Sequence, residues 1–252
     1  MPIVCSYKKG SRSAKDLANA MGIKRMKLSG SRVRRSDAII NWGSTTMLSN
    51  YPHLASSRII NHPQYVREVA NKLNFYRQYQ EYTPKFTTSF TEARDGVIGD
   101  YPILARHTLT SHSGQGIVVC HNEFELAENA HAKVFTQYIK KNREYRIHFV
   151  GDAIRIARKK RRNGMQDACK YVRSHQNGYV FCTDDIRDSE HVMEMARRFI
   201  SETNLDFGAI DIIHSTKTGV TKILEVNTAM GLEGSTLEWY RDELRNLIGE
   251  RR

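Results

Sequence analysis

The chain predicts an α+β protein in which a small α/β unit precedes a larger body of antiparallel strands and flanking helices. Three observations carry that expectation. Short apolar runs enclose one amphipathic stretch in residues 1–63, strand-like segments separated by turn residues fill the middle of the chain, and two further strand patterns flank the turn-rich HSTKTG.

In the N-terminal unit, PIVCSY reads as a short buried strand, AKDLANAMG as a helix ended by Gly22, and IKRMKLS and DAIINWGS as the second and third strands. The polar, proline-containing stretch from Ser49 to Pro63 interrupts regular structure, which sets a first domain at 1–63 and a second at 64–252. Pro63 opens a helix whose apolar positions Val66, Val69, Ala70, Leu73 and Tyr76 recur at three and four, and Thr83-Pro84 closes it. KFTTSF, YPILARHT and GIVVC then read as strands, EFELAENA as a helix, and KVFTQYI as a strand. EYRIHFV and AIRIARKK follow, joined by the hairpin signal Gly151-Asp152. A helix from about Ser189 to Thr203 carries Val192, Met195, Ala196, Phe199 and Ile200 on one face, and FGAIDII and TKILEVNT are strands.

Composition narrows the class. The 252 residues carry 39 Lys+Arg against 27 Asp+Glu, a net charge of +12, with 40% apolar residues, so neither a disordered tail nor a disulfide-stapled miniature fits. No apolar run reaches the length of a membrane span, and the opening MPIVCSYKKG lacks the layout of a secretory signal, so a cytoplasmic location is expected. Cys5, Cys120, Cys169 and Cys182 form no C-x-x-C pair and read as reduced thiols. The basic excess, densest over Arg158 to Arg162, suits nucleic acid, a polyanionic substrate such as a nucleotide, or a solvated loop, and charge alone does not choose among them.

Two local patterns carry chemistry. Strand alternation puts Glu225 and Asn227 on one face, and the turn before them brings Asp211 close from the antiparallel partner, so three oxygen donors converge inside apolar strands. A cation must meet them. Hard oxygen donors favour Mg²⁺ or Mn²⁺, with a salt bridge to an arginine as the alternative. The loop TLTSHSGQG between two strands offers backbone N–H groups to phosphate, with Arg106 just before it, yet it is neither a Walker sequence nor a dinucleotide fingerprint.

Read in order, IINHPQYVREVANKL, ILARHTLTSHSGQGIVV, VFTQYIKKNREYRIHFVGDAIRIARKK, FGAIDII and ILEVNTAMGLEGST resemble the ATP-grasp carboxylate-amine ligases over about residues 60 to 240. The likeness is greatest to the RimK-like ligases that add glutamate to a ribosomal protein and to related amidoligases of tailed phages. The resemblance implies two α+β lobes gripping ATP, about 64–136 and 137–252, behind a pre-ATP-grasp domain. It implies phosphate contacts from Lys72 and Arg106, the latter standing where most members have lysine, and a closing loop over 111–116 that includes Ser113, Gly114 and Gly116. Gln137, Tyr138 and Ile139 match the adenine hinge, Glu144 the ribose-binding carboxylate, and Asp211, Glu225 and Asn227 the Mg²⁺ ligands. Met230 replaces a proline usual in RimK-like sequences.

The implied reaction needs no protein nucleophile: a carboxylate attacks the γ-phosphate of ATP, and an amine then displaces phosphate to form an amide. Charge neutralisation falls to Arg146 and Arg158, with Arg173 and Asn177 in the segment facing substrate and His175 a candidate base. The carboxylate partner is expected to be an amino acid or a peptide or protein terminus. Two other readings stay open, an inactive ATP-grasp body acting as a basic nucleic-acid-binding module and a ligase with a nucleic-acid acceptor. The retained acidic triad argues against the first.

Overall fold

The computed structural model describes residues 2–6, 8, 10–26, 38–46, 57–110, 114–165, 168–184, 186–187 and 189–249. Among them the strands form three sheets. The first is parallel, in the order β2-β1-β3-β4, from β1 (Ile3–Ser6), β2 (Lys24–Met26), β3 (Ala38–Trp42) and β4 (Arg58–Ile60). Its helix α1 (Arg12–Met21) starts at Ser11, whose hydroxyl accepts the Ala14 N–H, and ends at Gly22 with φ 68°, a left-handed turn that glycine adopts without Cβ strain. β4 was not foreseen, because three residues, RII, inside a polar stretch give no periodicity to read.

The chain then enters α2 (Pro63–Ala70) and α3 (Lys72–Gln78). The sequence reads these as one continuous helix, but Asn71 breaks it in an extended conformation. Its side-chain oxygen caps the Leu73 and Asn74 N–H groups, so capping the second helix outweighs continuing the first. The Lys72 N–H leaves the helical ladder and donates to Leu109 O at 3.0 Å.

The second sheet, antiparallel in the order β5-β8-β6-β7, comprises β5 (Phe86–Thr87), β6 (Ile103–Arg106), β7 (Ile117–Cys120) and β8 (Val134–Gln137). The short helices α4 (Phe90–Arg94) and α5 (Glu123–Glu128) cover one face, with Ala93 and Leu126 packed on Ile103, Ala105, Cys120 and Phe135. The third sheet, antiparallel in the order β11-β10-β9-β12-β13, comprises β9 (Arg143–Val150), β10 (Ala153–Arg161), β11 (Tyr179–Cys182), β12 (Phe207–His214) and β13 (Thr221–Asn227). Its apolar face, with Tyr145, Ile147, Phe149, Ile210 and Ile212, shares a core with Val192, Ala196 and Phe199 of α6 (Glu190–Glu202) and with Phe75 and Tyr79.

A last helix, α7 (Gly234–Ile248), joins the parallel sheet to this body through a cluster containing Leu17, Trp42, Phe207, Tyr240 and Leu244. Asn61, buried at φ 60°, pins the junction. Its amide oxygen accepts from Asp206 and Phe207 N–H, its Nδ2 donates to Phe207 O at 2.8 Å, and its carbonyl accepts from Asn41 Nδ2 at 2.7 Å. No helix among the described residues is long and apolar enough to cross a membrane, and the four cysteines are free thiols.

Candidate functional site

A cleft of about 750 Å³ lies between the second and third sheets. Strand parity decides what enters it. On β9 the residues Glu144, Arg146 and His148 face the cleft, while Tyr145, Ile147 and Phe149 face the helices. Asp211 lies directly opposite Arg146 on one side and Glu225 on the other, so three charged side chains sit abreast across β9, β12 and β13. The register shifts between Asp211 and Ile212, a bulge that lets the successive residues Leu224 and Glu225 both line the cleft.

Burial of these charges is compensated by pairing. Arg146 grips Asp211 in a bidentate pair through one guanidinium edge, Nε to Oδ1 at 2.6 Å and Nη2 to Oδ2 at 2.7 Å, and its guanidinium lies 4.3 Å from the Phe181 ring centroid. Lys72 Nζ meets Glu225 Oε2 at 3.2 Å, and Asn227 Nδ2 donates to Glu225 Oε1 at 3.1 Å. Burial pushes the Glu225 carboxyl up, but Lys72, Asn227 and Arg146 outweigh it and hold the group at about 2. Burial dominates at Asp211 and raises its carboxyl despite Arg146. The arginine salt bridge left open by the sequence is therefore present.

Asp211, Glu225 and Asn227 also pass a chemical test for a hard cation. Among the described residues no group of three or more His, Cys, Asp and Glu side chains is arranged to hold a metal ion, so a cation here would rest on two carboxylates and the Asn227 amide oxygen. That suits Mg²⁺, which usually takes one or two carboxylates and completes its shell with phosphate and water.

Glu144 is buried beside two lysines. Its Oε1 accepts from Lys159 Nζ, while Oε2 has no hydrogen-bond partner and stands 3.9 Å from Lys141 Nζ. Burial lowers Lys141 to about 8 against the pull of Glu144. Lys141 Nζ also donates to Tyr171 O at 2.9 Å, and Lys159 to Arg173 O at 2.9 Å, so the two lysines tie down the backbone of the 171–173 segment, which lines the cleft.

The structure brings most of the sequence candidates together. Lys72, Arg106, Gly114, Gln137, Tyr138, Ile139, Glu144, Arg146, Arg173, Asp211, Glu225 and Asn227 all line the cleft, as does His175, which contacts Arg162. Ser113 lies outside the described residues. Gly114, at φ 76°, packs so closely that a Cβ there would collide with Val172.

Three candidates lie elsewhere. Arg158 is on the opposite face of β10, with Ile154 and Ile156 that pack on the helix-side core, and the adjacent Lys159 enters the cleft in its place. Asn177 spends its amide on Val172 O at 2.6 Å, closing a turn. Gly116 shapes the hairpin base, where its carbonyl accepts the His107 N–H at 2.8 Å. The sequence reading also passed over Lys141, Lys159, Thr136 and Phe181, although the parity of β10 relative to Gly151-Asp152 was the signal that separates Lys159 from Arg158.

Comparison with solved structures places this architecture. N5-carboxyaminoimidazole synthetase from Staphylococcus aureus with ADP superimposes at a TM-score of 0.71 and 11% identity, over 100% of this chain and 78% of that one. D-alanine–D-alanine ligase from Bacillus anthracis gives 0.70 at 12% identity, over 99% and 95%. A RiPP-associated ATP-grasp ligase from Chryseobacterium gregarium, in complex with ADP and a leader and core peptide, gives 0.65 at 12% identity, over 100% and 97%. The chain has the ATP-grasp fold. No protein-family model and no curated protein sequence matches it. The cleft between the second and third sheets is where the charged side chains of this chain converge.

Proposed function

We propose that the protein is an ATP-dependent carboxylate-amine ligase that forms an amide through an acylphosphate and releases ADP and phosphate. One observation carries the reading: Asp211 and Glu225 face each other across adjacent strands in an ATP-grasp cleft, under Lys72, Arg106 and Arg146. Carboxylates and basic side chains gathered in one cleft offer adjoining positions for a cation and for an anionic ligand, beyond the pairs Arg146–Asp211 and Lys72–Glu225 that they make with each other.

In this reading Lys72 and Arg106 hold the nucleotide phosphates, and Glu144, through its unpartnered Oε2, accepts from ribose hydroxyls. Gln137, Tyr138 and Ile139 flank the base, and Gly114 lets the loop backbone approach the phosphates. Asp211, Glu225 and Asn227 would hold Mg²⁺, which supplies charge neutralisation on the phosphoryl oxygens when bound.

A substrate carboxylate oxygen attacks the γ-phosphorus as the bond to the ADP oxygen breaks. The amine nitrogen then attacks the acyl carbon, phosphate leaves with the C–O bond electrons, and the nitrogen sheds its proton. Arg146 and Lys159 are placed to steady the charge that develops on the transferred phosphoryl group, and Arg173 to orient the acid. The chain supplies position and charge rather than a nucleophile. By likeness to the RimK-like ligases, the acid is an amino acid or a peptide or protein terminus. The parallel sheet of residues 3–60 is the pre-ATP-grasp domain in this scheme.

Product release from MgATP tests it, with amino acids, polyamines, acidic peptides and nucleic acids supplied singly and in pairs. ADP and phosphate appearing only when a carboxylate and an amine are both present is the expected result. AMP in place of ADP overturns the acylphosphate route.

A further inference from the structure

The end of the cleft beside α7 differs in character from the rest. Four acidic side chains line the cleft, and three are paired with cations: Glu144 with Lys159, Asp211 with Arg146 and Glu225 with Lys72. Glu233, the residue before α7, makes no ion pair among the described residues, and its side chain does not cap the helix. The first turn of α7 is fixed over β9 and β10. Arg155, directly opposite His148, donates to Ser235 O at 2.9 Å and to Ser235 Oγ at 2.7 Å, and Tyr240, one turn after Thr236, packs edge-on against the His148 ring. Glu233, Thr236 and His148 therefore wall the same end of the cleft, with Met230 as its apolar side.

Tyr240 sets the state of His148. Its phenol has one proton, which goes to Gly208 O at 2.7 Å, so its oxygen is left to accept from the His148 Nδ1–H at 3.1 Å. The imidazole is then bare at Nε2. His148 is only 6% exposed, and Nε2 bonds to no group among the described residues, so an enclosed side chain presents a lone pair to the cleft that it lines. Burial, with Arg146 and Arg155 close by, disfavours the charged ring and keeps that lone pair available.

Elsewhere the cleft offers cationic donors, among them Lys72, Arg106, Lys159 and Arg173, whereas this end offers acceptors. Acceptors and an unpaired carboxylate complement a ligand rich in N–H groups and positive charge. We propose that this end holds the amine substrate, with His148 Nε2 accepting an N–H of the attacking nitrogen and Glu233 holding a second cationic group of the same molecule, so that the amine is a diamine or polyamine.

This rests on the ligase reading above and names the class of its second substrate. His148 follows Arg146 by two residues on the same face of β9, about 7 Å along the strand, which sets the amine beside the group that Arg146 steadies. With one N–H held by Nε2, the nitrogen lone pair is free to form the C–N bond. The C–O bond to phosphate breaks, and phosphate leaves with that electron pair and takes the surplus proton of the nitrogen. His148 orients the amine and takes no proton.

The test measures binding of diaminobutane and of butylamine to the MgADP-saturated protein by calorimetry. The wild type should bind diaminobutane about fivefold more tightly, and Glu233→Gln should lose that preference. His148→Phe should weaken both amines about tenfold, and His148→Gln, whose amide oxygen reaches the place of Nε2, should recover most of the loss. Nitrogen NMR of the labelled wild-type ring should show the proton on Nδ1 and a shift of the Nε2 resonance as diaminobutane is added, a response that a merely structural histidine does not give.

Equal affinity for the two amines, a preference that survives in Glu233→Gln, or no binding of either amine overturns the diamine assignment. An Nε2 that carries the proton, or whose resonance stays in place while diaminobutane binds, overturns the role of His148 even where His148→Phe fails to fold. Each of these results leaves the ligase reading intact, since MgADP still binds. Failure of the wild-type protein to bind MgADP overturns both readings.

Discussion

On β9, Tyr145, Ile147 and Phe149 face the helices while Glu144, Arg146 and His148 face the cleft, so the same eight residues build two surfaces of opposite character. Both are largely removed from water, but they are held differently. The helix face gains from area buried, with no direction required. The cleft face gains only where each charge meets a partner at the right distance, as Arg146 meets Asp211 and Lys72 meets Glu225. One face tolerates exchange among apolar side chains of similar volume, whereas the other is a set of pairs in which losing one member strands the next.

Substitutions on the two faces should separate turnover from stability. The largest effect is expected for Asp211→Asn, which removes a carboxylate from the set proposed to hold Mg²⁺. Turnover measured as ADP release should fall at least about 1,000-fold, on the order of 4 kcal/mol of barrier. Turnover close to wild type would remove Asp211 from the metal site.

Phe149→Ala empties the other face and should cost about 3–5 kcal/mol in urea unfolding, while folded molecules keep their affinity for ADP. A loss of affinity without loss of stability would show that the faces are not separable. Lys159→Ala strips Glu144 of its nearer cation. With Lys141 still 3.9 Å away, the expected loss is about 2 kcal/mol of stability, together with a fall in kcat. Arg158→Ala, one residue earlier on the opposite face, should change stability by less than about 1 kcal/mol and leave kcat nearly unaltered. Equal effects from the neighbours would contradict the strand parity.

The smallest effect before Arg158 is a pH dependence. His148 on the cleft face is buried, and its Nδ1 sits 3.1 Å from the Tyr240 hydroxyl, which donates to Gly208 O. Burial, then Arg146 and Arg155, lowers its pKa to about 3. Because the folded value lies below that of an unfolded histidine, the unfolded chain binds the extra proton. Stability from this residue is therefore complete above about pH 6.5 and is lost as pH falls toward 3. By pH 5.5 the loss should be about 1.5 kcal/mol, and His148→Gln should flatten that part of the curve. Parallel curves for the two proteins would show that His148 titrates alike in the folded and unfolded chains.

Much of this contrast was legible in the residue order. Apolar residues at alternating positions marked the strands of the third sheet, and Asp211, Glu225 and Asn227 stood out because carboxylates inside apolar strands demand partners. The single helix read from Pro63 was wrong at Asn71, where a local cap outweighs the amphipathic stripe. The helix α7 and the strand β4 escaped the reading, the first because its apolar positions sit beyond the motifs that drew attention and the second because it is too short for a period. Arg158 was favoured over Lys159 although the hairpin at Gly151-Asp152 carried the parity that separates them, because a run of five basic residues has no alternation of its own.

The sequence by itself determined the alternation of strands, the α+β class and the identity of the acidic cluster, since each depends on spacing along one chain. Only the tertiary structure decided that Lys72 neutralises Glu225 and that Arg146 clasps Asp211. It also decided that Tyr240 fixes the proton of His148 and leaves Nε2 bare toward the cleft. These are relations between segments far apart in the chain. Their energies depend on distance, burial and partner, which exist only once the sheets have closed around the cleft.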